Sequence, residues 1–230
     1  MESPAPVAPR PAATLKGPVD VRSFTVGPVA ENCYVARRDD ADRGVIVDPG
    51  DEAERILEAV EKLGIAIEAI LLTHCHFDHI GAVAPVARAT GAPVYCPEIE
   101  VPVLADIMSY VPWPGFGPYE SYEADETVAG GEQLEVAGLE IDVIFTPGHS
   151  PGHVTYAIPE RSALFSGDVL FKGSVGRTDL PGGDWDTLLE SIRGLVDGFP
   201  EQTTVYPGHM GITTLGAEKA TNPFLAELAR

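Results

Sequence analysis

The chain has 230 residues, 44% of them hydrophobic, and its 15 basic and 35 acidic side chains leave a formal net charge of -20. That is enough apolar material for one sizeable core, and no stretch approaches the roughly 18 apolar residues that a membrane span requires. A surface this acidic repels phosphate backbones and carries no Lys/Arg cluster, so neither nucleic acid nor membrane is expected as a partner.

Residues 1–18 are rich in Pro and Ala and read as a flexible tail; a single domain is expected over 19–230. The cysteines, Cys33, Cys75 and Cys96, are few and odd in number, which fits a reducing compartment and places the protein in the cytoplasm. Two strands, 19–26 and 33–37, are predicted to pair around the polar connection 27–32. A short buried strand at 44–47 ends in Asp48-Pro49-Gly50. Asp51 then reads as the cap of a helix, with Glu54 as its capping-box partner and Gly64 as its end. Ile56, Leu57, Val60 and Leu63 give that helix its apolar face.

The next predicted strand, 67–73, runs into His74-Cys75-His76-Phe77-Asp78-His79. Three imidazoles and a carboxylate at this spacing are costly to bury and poor at packing, but they are metal ligands. In an extended run alternate side chains share a face, so His74 and His76 can address one ion while Cys75 points away into packing. Asp78 and His79 follow where the chain turns, and can address a second point nearby.

Further along, a helix is predicted over 81–90, with Pro85 tolerated near its first turn. Residues 97–126 carry Tyr110, Trp113, Phe116, Tyr119 and Tyr122 without clear periodicity; the segment is expected either to cover the mouth of the site and set specificity or to be a packed surface loop. Strands follow on either side of Gly138 within 134–145, then at 154–158, 163–165 and 204–206, with an amphipathic helix at 185–196 ended by Gly198. His149 in Thr146-Pro147-Gly148-His149, Asp168 in Ser166-Gly167-Asp168 and His209 in Tyr206-Pro207-Gly208-His209 each follow one of these apolar runs. Strand ends that each release a metal-type ligand point to one shared sheet edge. His153 is read as structural or as a support for a ligand, and Asp48 either orients a ligand imidazole or merely ends its strand.

Those residues resemble the metallo-β-lactamase superfamily and, within it, the type II glyoxalase (hydroxyacylglutathione hydrolase) branch. The shared pattern is Thr73-His74-Cys75-His76-Phe77-Asp78-His79-Ile80-Gly81, Thr146-Pro147-Gly148-His149-Ser150, Ser166-Gly167-Asp168 and Pro207-Gly208-His209. The stretch from Leu170 to Asp179 and Thr221-Asn222-Pro223-Phe224-Leu225 are similar to the same branch. The resemblance implies an α/β fold, an αββα four-layer sandwich of two mixed sheets flanked by helices. It also implies two divalent ions, zinc first, with iron or manganese as alternatives. His74, His76 and His149 would hold one ion and Asp78, His79 and His209 the other, with Asp168 bridging. Classical type II glyoxalases carry an additional C-terminal helical domain; here 21 residues follow His209, so the resemblance is to a form without it.

The activity so implied is hydrolysis of a small-molecule thioester, S-lactoylglutathione or a related hydroxyacyl thioester. Two divalent ions less the charges of Asp78 and Asp168 leave a centre of about +2, which lowers the pKa of a bridging water and makes hydroxide available. Asp78 stands at that hydroxide site and is taken as catalytic. Lys172 and Arg177 are the candidates for substrate carboxylates. Arg177 has the alternative of an internal ion pair with Asp179 or Asp184. A persulfide dioxygenase with a single iron is the second reading and a lactonase the third. The lack of an evident export signal and the Asp168 carboxylate speak against a β-lactamase.

Overall fold

The structure is a computed structural model and describes residues 19–39 and 41–227. The tail expected over 1–18 lies outside the described residues. The first sheet is built from β1 (Val19–Val26), β2 (Glu31–Arg38), β3 (Arg43–Val47), β4 (Ala66–Leu71), β5 (Val94–Pro97) and β6 (Glu126–Val128), in that spatial order. The second contains β7 (Gln133–Val136), β8 (Leu139–Phe145), β9 (Val154–Ile158) and β10 (Ala163–Gly167). A two-stranded hairpin, β11 (Leu170–Phe171) and β12 (Ser174–Val175), follows, and then β13 (Thr204–Pro207) and β14 (Thr213–Thr214) complete the second sheet in the order β14-β13-β10-β9-β8-β7. Both sheets are mixed: β1-β2-β3 pair antiparallel and β3-β4-β5-β6 parallel, while β10 pairs parallel only with β13. The helices are α1 (Ala53–Leu63), α2 (Phe77–Ile80), α3 (Val83–Thr90), α4 (Val101–Ala105), α5 (Ile107–Tyr110), α6 (Trp185–Gly198) and α7 (Leu215–Thr221).

The period-2 alternation of the strands decides the layering. Along β3 and β4, Val45, Val47, Ala69 and Leu71 face the second sheet and meet Ile141, Val143, Tyr156 and Phe165. Ile46 and Ile70 face the other way, onto Ile56 and Val60 of α1 and Val83 and Val86 of α3. In the second sheet Ala157, Leu164 and Val205 point outward beneath Leu188, Ile192 and Leu195 of α6. Helix, sheet, sheet and helix are thus joined by three apolar interlayers, the expected αββα sandwich. No described helix is long and apolar enough to cross a membrane.

Three local expectations need correction. Asp51 is not the cap of α1: the cap is Glu52, in the left-handed region at φ 53° with no side-chain capping bond, and Asp51 Oδ1 instead accepts the Glu52 N–H at 2.7 Å. Glu52 is drawn away because its own carboxylate takes the Gly27 N–H and the Arg55 guanidinium. The helix expected over 81–90 forms as α3 but starts at Val83, with Pro85 in the first turn where its missing N–H costs nothing, and a separate α2 carrying Asp78 and His79 precedes it. Gly198 is the last residue of α6 rather than its stop.

Candidate metal centre

β4, β8, β10 and β13 all end at one edge of the sandwich, and each hands on a loop bearing candidate ligands. His74 and His76 leave β4; at His76 the backbone is still extended, and the chain then winds directly into α2. Cys75, between them, turns into the core beside Cys96, where both thiols are free and buried. The Gly residues of these loops permit close approach: a side chain at Gly208 would collide with the Asp168 carboxylate and the His79 ring.

Two groups of donors converge. His76 Nδ1 lies 3.1 Å from His74 Nε2 and 2.8 Å from His149 Nε2. A tetrahedral ion with bonds of about 2.0–2.1 Å to nitrogen would space its donors by about 3.3 Å. The second group is Asp78, His79 and His209, whose candidate atoms lie within 4.8 Å of one another. Asp168, only 7% exposed, stands between the groups. Its Oδ1 is 3.3 Å from His79 Nε2, and its Oδ2 is 3.4 Å from His149 Nε2 and 3.5 Å from His209 Nε2. His79 Nε2 and Asp168 Oδ1 are buried without a hydrogen-bond partner. Atoms of this kind are not left bare inside a protein, and a cation between them satisfies both. The residues fit two divalent ions.

The imidazoles are oriented from behind. The Arg177 carbonyl can only accept, so His149 Nδ1 donates to it at 2.7 Å and Nε2 is left to face the site. Asp48 Oδ1 accepts the Thr73 N–H at 2.7 Å, and Oδ2 accepts the Thr73 hydroxyl at 2.6 Å. Oδ2 also faces His79 Nδ1 at 3.0 Å, fixing that ring with Nε2 inward. With its proton given to Asp48, Thr73 Oγ1 accepts from His74 Nδ1 at 3.1 Å, again freeing Nε2. Asp48, His74 and His79 also approach as a possible ligand group, but both Asp48 oxygens are already engaged. The geometry is that of the orienting alternative of the two sequence readings. His153 accepts the Asp168 N–H on Nε2 at 3.0 Å and lies 3.1 Å from Thr146 Oγ1 through Nδ1. It holds the backbone of Asp168 and does not face the donors.

The protonation pattern follows the same division. Burial, then the surrounding imidazoles, pushes His74 well below the ordinary histidine range and His76 down to about 4, keeping them neutral. Burial opposes charge on Asp78 and Asp168 too, yet the facing His79 and His209 hold both carboxyls below their usual range. Burial likewise works against protonation of His79 and His209, but the carboxylates win and raise both. Two carboxylates that draw protons onto buried imidazoles are asking for positive charge, which divalent ions would meet.

Sequence reasoning missed several parts. Glu31 is buried in β2 behind His79, 3.8 Å from Nδ1, with both oxygens unpartnered and its carboxyl pushed well up by burial. Buried Glu100 accepts from Ser150 Oγ at 2.7 Å and Gly152 N at 2.8 Å, tying the 97–126 segment to the His149 loop. That segment does reach the site: Phe116 and Tyr119 pack on Phe77 of the histidine motif, and Trp113 leans on the same ring. Arg177 pairs with Asp179 through two bonds of 2.6 Å, and its guanidinium lies 5.7 Å from the Trp113 ring centre. The internal ion pair foreseen as an alternative is formed. Lys172 is exposed at the tip of the β11-β12 hairpin, next to Phe171, whose ring meets His209.

Comparison with known proteins agrees with this geometry. The family described as the metallo-beta-lactamase superfamily matches residues 26–209. A probable metallo-hydrolase, YqgX of Bacillus subtilis, is 40% identical over 209 residues, covering 89% of this chain and 96% of that one. Hydroxyacylglutathione hydrolase GloC of Haemophilus influenzae is 33% identical over 209 residues, covering 90% and 98%. Among solved structures, the BLEG-1 B3 metallo-beta-lactamase superposes with a TM-score of 0.85 at 41% identity, over 90% of this chain and 99% of that one.

Proposed function

The chain belongs to the metallo-β-lactamase superfamily, and from that premise we propose that it is a metal-dependent thioesterase acting on S-lactoylglutathione or a related hydroxyacyl thioester. The observation that carries the hydrolase reading is the position of Asp168, within 3.5 Å of an imidazole from each donor group. Support for the thioester comes from the likeness to GloC. In this reading His74, His76 and His149 hold one ion, Asp78, His79 and His209 the other, and Asp168 both. Bound divalent ions would supply Lewis acidity and lower the pKa of a coordinated water toward neutrality.

The chain's own residues do the rest. Asp48, Thr73 and the Arg177 carbonyl keep the ligand nitrogens aimed inward, and His153 fixes the backbone of Asp168. Asp78, on the first turn of α2, sets its carboxylate beside His209 at 3.3 Å, where the acyl carbon would be attacked. Phe77, Trp113, Phe116 and Tyr119 form an apolar wall against which the thioester can lie out of water. Lys172 and Arg177 are proposed to meet its carboxylates, and the cytoplasm is the proposed location.

The likeness to BLEG-1 favours lactam opening as a second reading, against which the Asp168 carboxylate speaks. A screen of the purified protein separates the readings: S-lactoylglutathione, a neutral acyl thioester, an acyl lactone, a β-lactam and glutathione persulfide with oxygen, with metal content measured on each sample. Highest kcat/KM on the thioesters is expected. Faster turnover of the β-lactam or lactone, or oxygen uptake with the persulfide, would overturn the proposal.

A further inference from the structure

His209 differs from His74, His79 and His149 in how it is held. His74, His79 and His149 each have the nitrogen away from the site fixed by Thr73, Asp48 or the Arg177 carbonyl. No hydrogen bond to His209 Nδ1 is present among the described residues. The ring is 21% exposed, and its direction depends on the backbone of the loop that follows β13. That loop is under demand: Met210 is at φ 67°, a conformation non-glycine residues rarely adopt, and Gly208 is pressed against Asp168.

Two side chains of β2 hold the loop in this shape: Tyr34, whose hydroxyl donates to the Pro207 carbonyl at 2.7 Å, and Asn32, which reaches both sides of His209. Asn32, 6% exposed in β2, donates its backbone N–H to the Gly208 carbonyl at 2.7 Å. Its Nδ2 donates to the Pro207 carbonyl at 3.1 Å and to the Met210 carbonyl at 2.9 Å. Its Oδ1 accepts the Thr25 hydroxyl at 3.0 Å, which fixes the amide with its nitrogen toward the loop. The carbonyls on either side of His209 are thus gripped by a single amide. The His149 loop is held without such a residue, by Glu100, by Asp184 N on Gly148 O and by Ser191 Oγ on Pro147 O.

We propose that Asn32 is the positioning residue of His209, and that its carboxamide decides whether the Asp78–His79–His209 site retains its ion. The inference rests on the dinuclear reading above. It asks only for a grip: the two carbonyls take up the Nδ2 hydrogens, and while Pro207 O also has the Tyr34 hydroxyl, no other donor to Met210 O is present among the described residues. Loss of an outer partner of this kind costs roughly 10–100-fold in metal affinity.

Asn32→Asp provides the test, because it keeps the shape, removes both donors and turns an acceptor toward two carbonyls. Its added negative charge would by itself strengthen cation binding, so a loss of metal reports geometry. Metal per chain is measured together with the absorption spectrum of the cobalt-substituted protein, using His209→Ala as reference. Wild type is expected to hold about two ions and Asn32→Asp about one, with a spectrum matching His209→Ala. Asn32→Asp that keeps both ions and the wild-type spectrum, or that loses both sites equally, would overturn the inference. A wild type that never holds two ions would condemn the dinuclear reading instead. Should Asn32→Asp not fold, Asn32→Ala, which adds no charge, is read in the same way.

Discussion

At the metal-facing edge, side chains are held from behind by fixed partners; at the mouth, they hold one another. Asp168 is bonded through its backbone to His153, and His79 is aimed by Asp48, itself pinned twice by Thr73. Across the cleft Trp113 is 39% exposed, rests on Phe77 and Phe116 and meets Arg177, whose partner Asp179 is in solvent. The difference separates two tasks. A metal site tolerates little displacement of its donors and is built on strand ends over a packed core. The 97–126 segment, proposed above to wall the substrate, has no regular periodicity and is stabilised by ring contacts and an exposed ion pair that can exchange.

The contrast is tested most severely at Asp168. Asp168→Ala removes the one carboxylate shared by both donor groups and should empty both positions, with affinities falling by more than the roughly 10–100-fold that an outer partner costs. Hydrolysis should fall to near background while the thermal transition of the metal-free protein changes little. A variant that kept two ions and full activity would mean that Asp168 is not shared, and the edge would lose its organising residue.

What could be read from the sequence follows the same line. His74, His76, Asp78, His79, His149, Asp168 and His209 announce themselves by residue type, and the apolar runs before them say that they leave strands. The sandwich follows from alternation such as Val45-Ile46-Val47, where every second side chain serves a different layer. The supports were harder to see because they join distant positions: Asp48 to Thr73 across 25 residues, Asn32 to Pro207 across 175. The Arg177 carbonyl that orients His149 has no sequence signature at all, since every residue offers the same group. The cap of α1 was misread because Asp51 and Glu52 are both acidic and only the contact with Gly27 decides between them. For 97–126, two outcomes stayed open because its order comes from Glu100 and from rings packed on Phe77, not from a repeating pattern.

A smaller effect is expected at His153, which accepts the Asp168 N–H and in the proposed reading supports that ligand without being one. His153→Ala leaves the Asp168 N–H without its acceptor but removes no donor atom, so it should lose less metal than His149→Ala, within the roughly 10–100-fold range. Titrating each variant with a competing chelator gives the order directly. If His153→Ala released more metal than His149→Ala, the two would have to exchange roles.

The smallest effect belongs to the mouth. Arg177 has two separable parts: its carbonyl fixes His149, and its guanidinium pairs with Asp179 beside Trp113. Arg177→Ala keeps the first and deletes the second, so metal content should not change. The Arg177–Asp179 pair is exposed on both sides, and such pairs are weak, so a substrate carboxylate can replace Asp179 at little cost. If it does, Arg177→Ala should raise KM for carboxylate-bearing thioesters by about fivefold at most, the scale of one exposed charge contact, and leave neutral thioesters little changed. An equal loss on both classes would mean that the guanidinium only shapes the wall with Trp113. A loss of metal would mean that the backbone of this loop depends on the side chain, and that the edge and the mouth are less separate than their construction indicates.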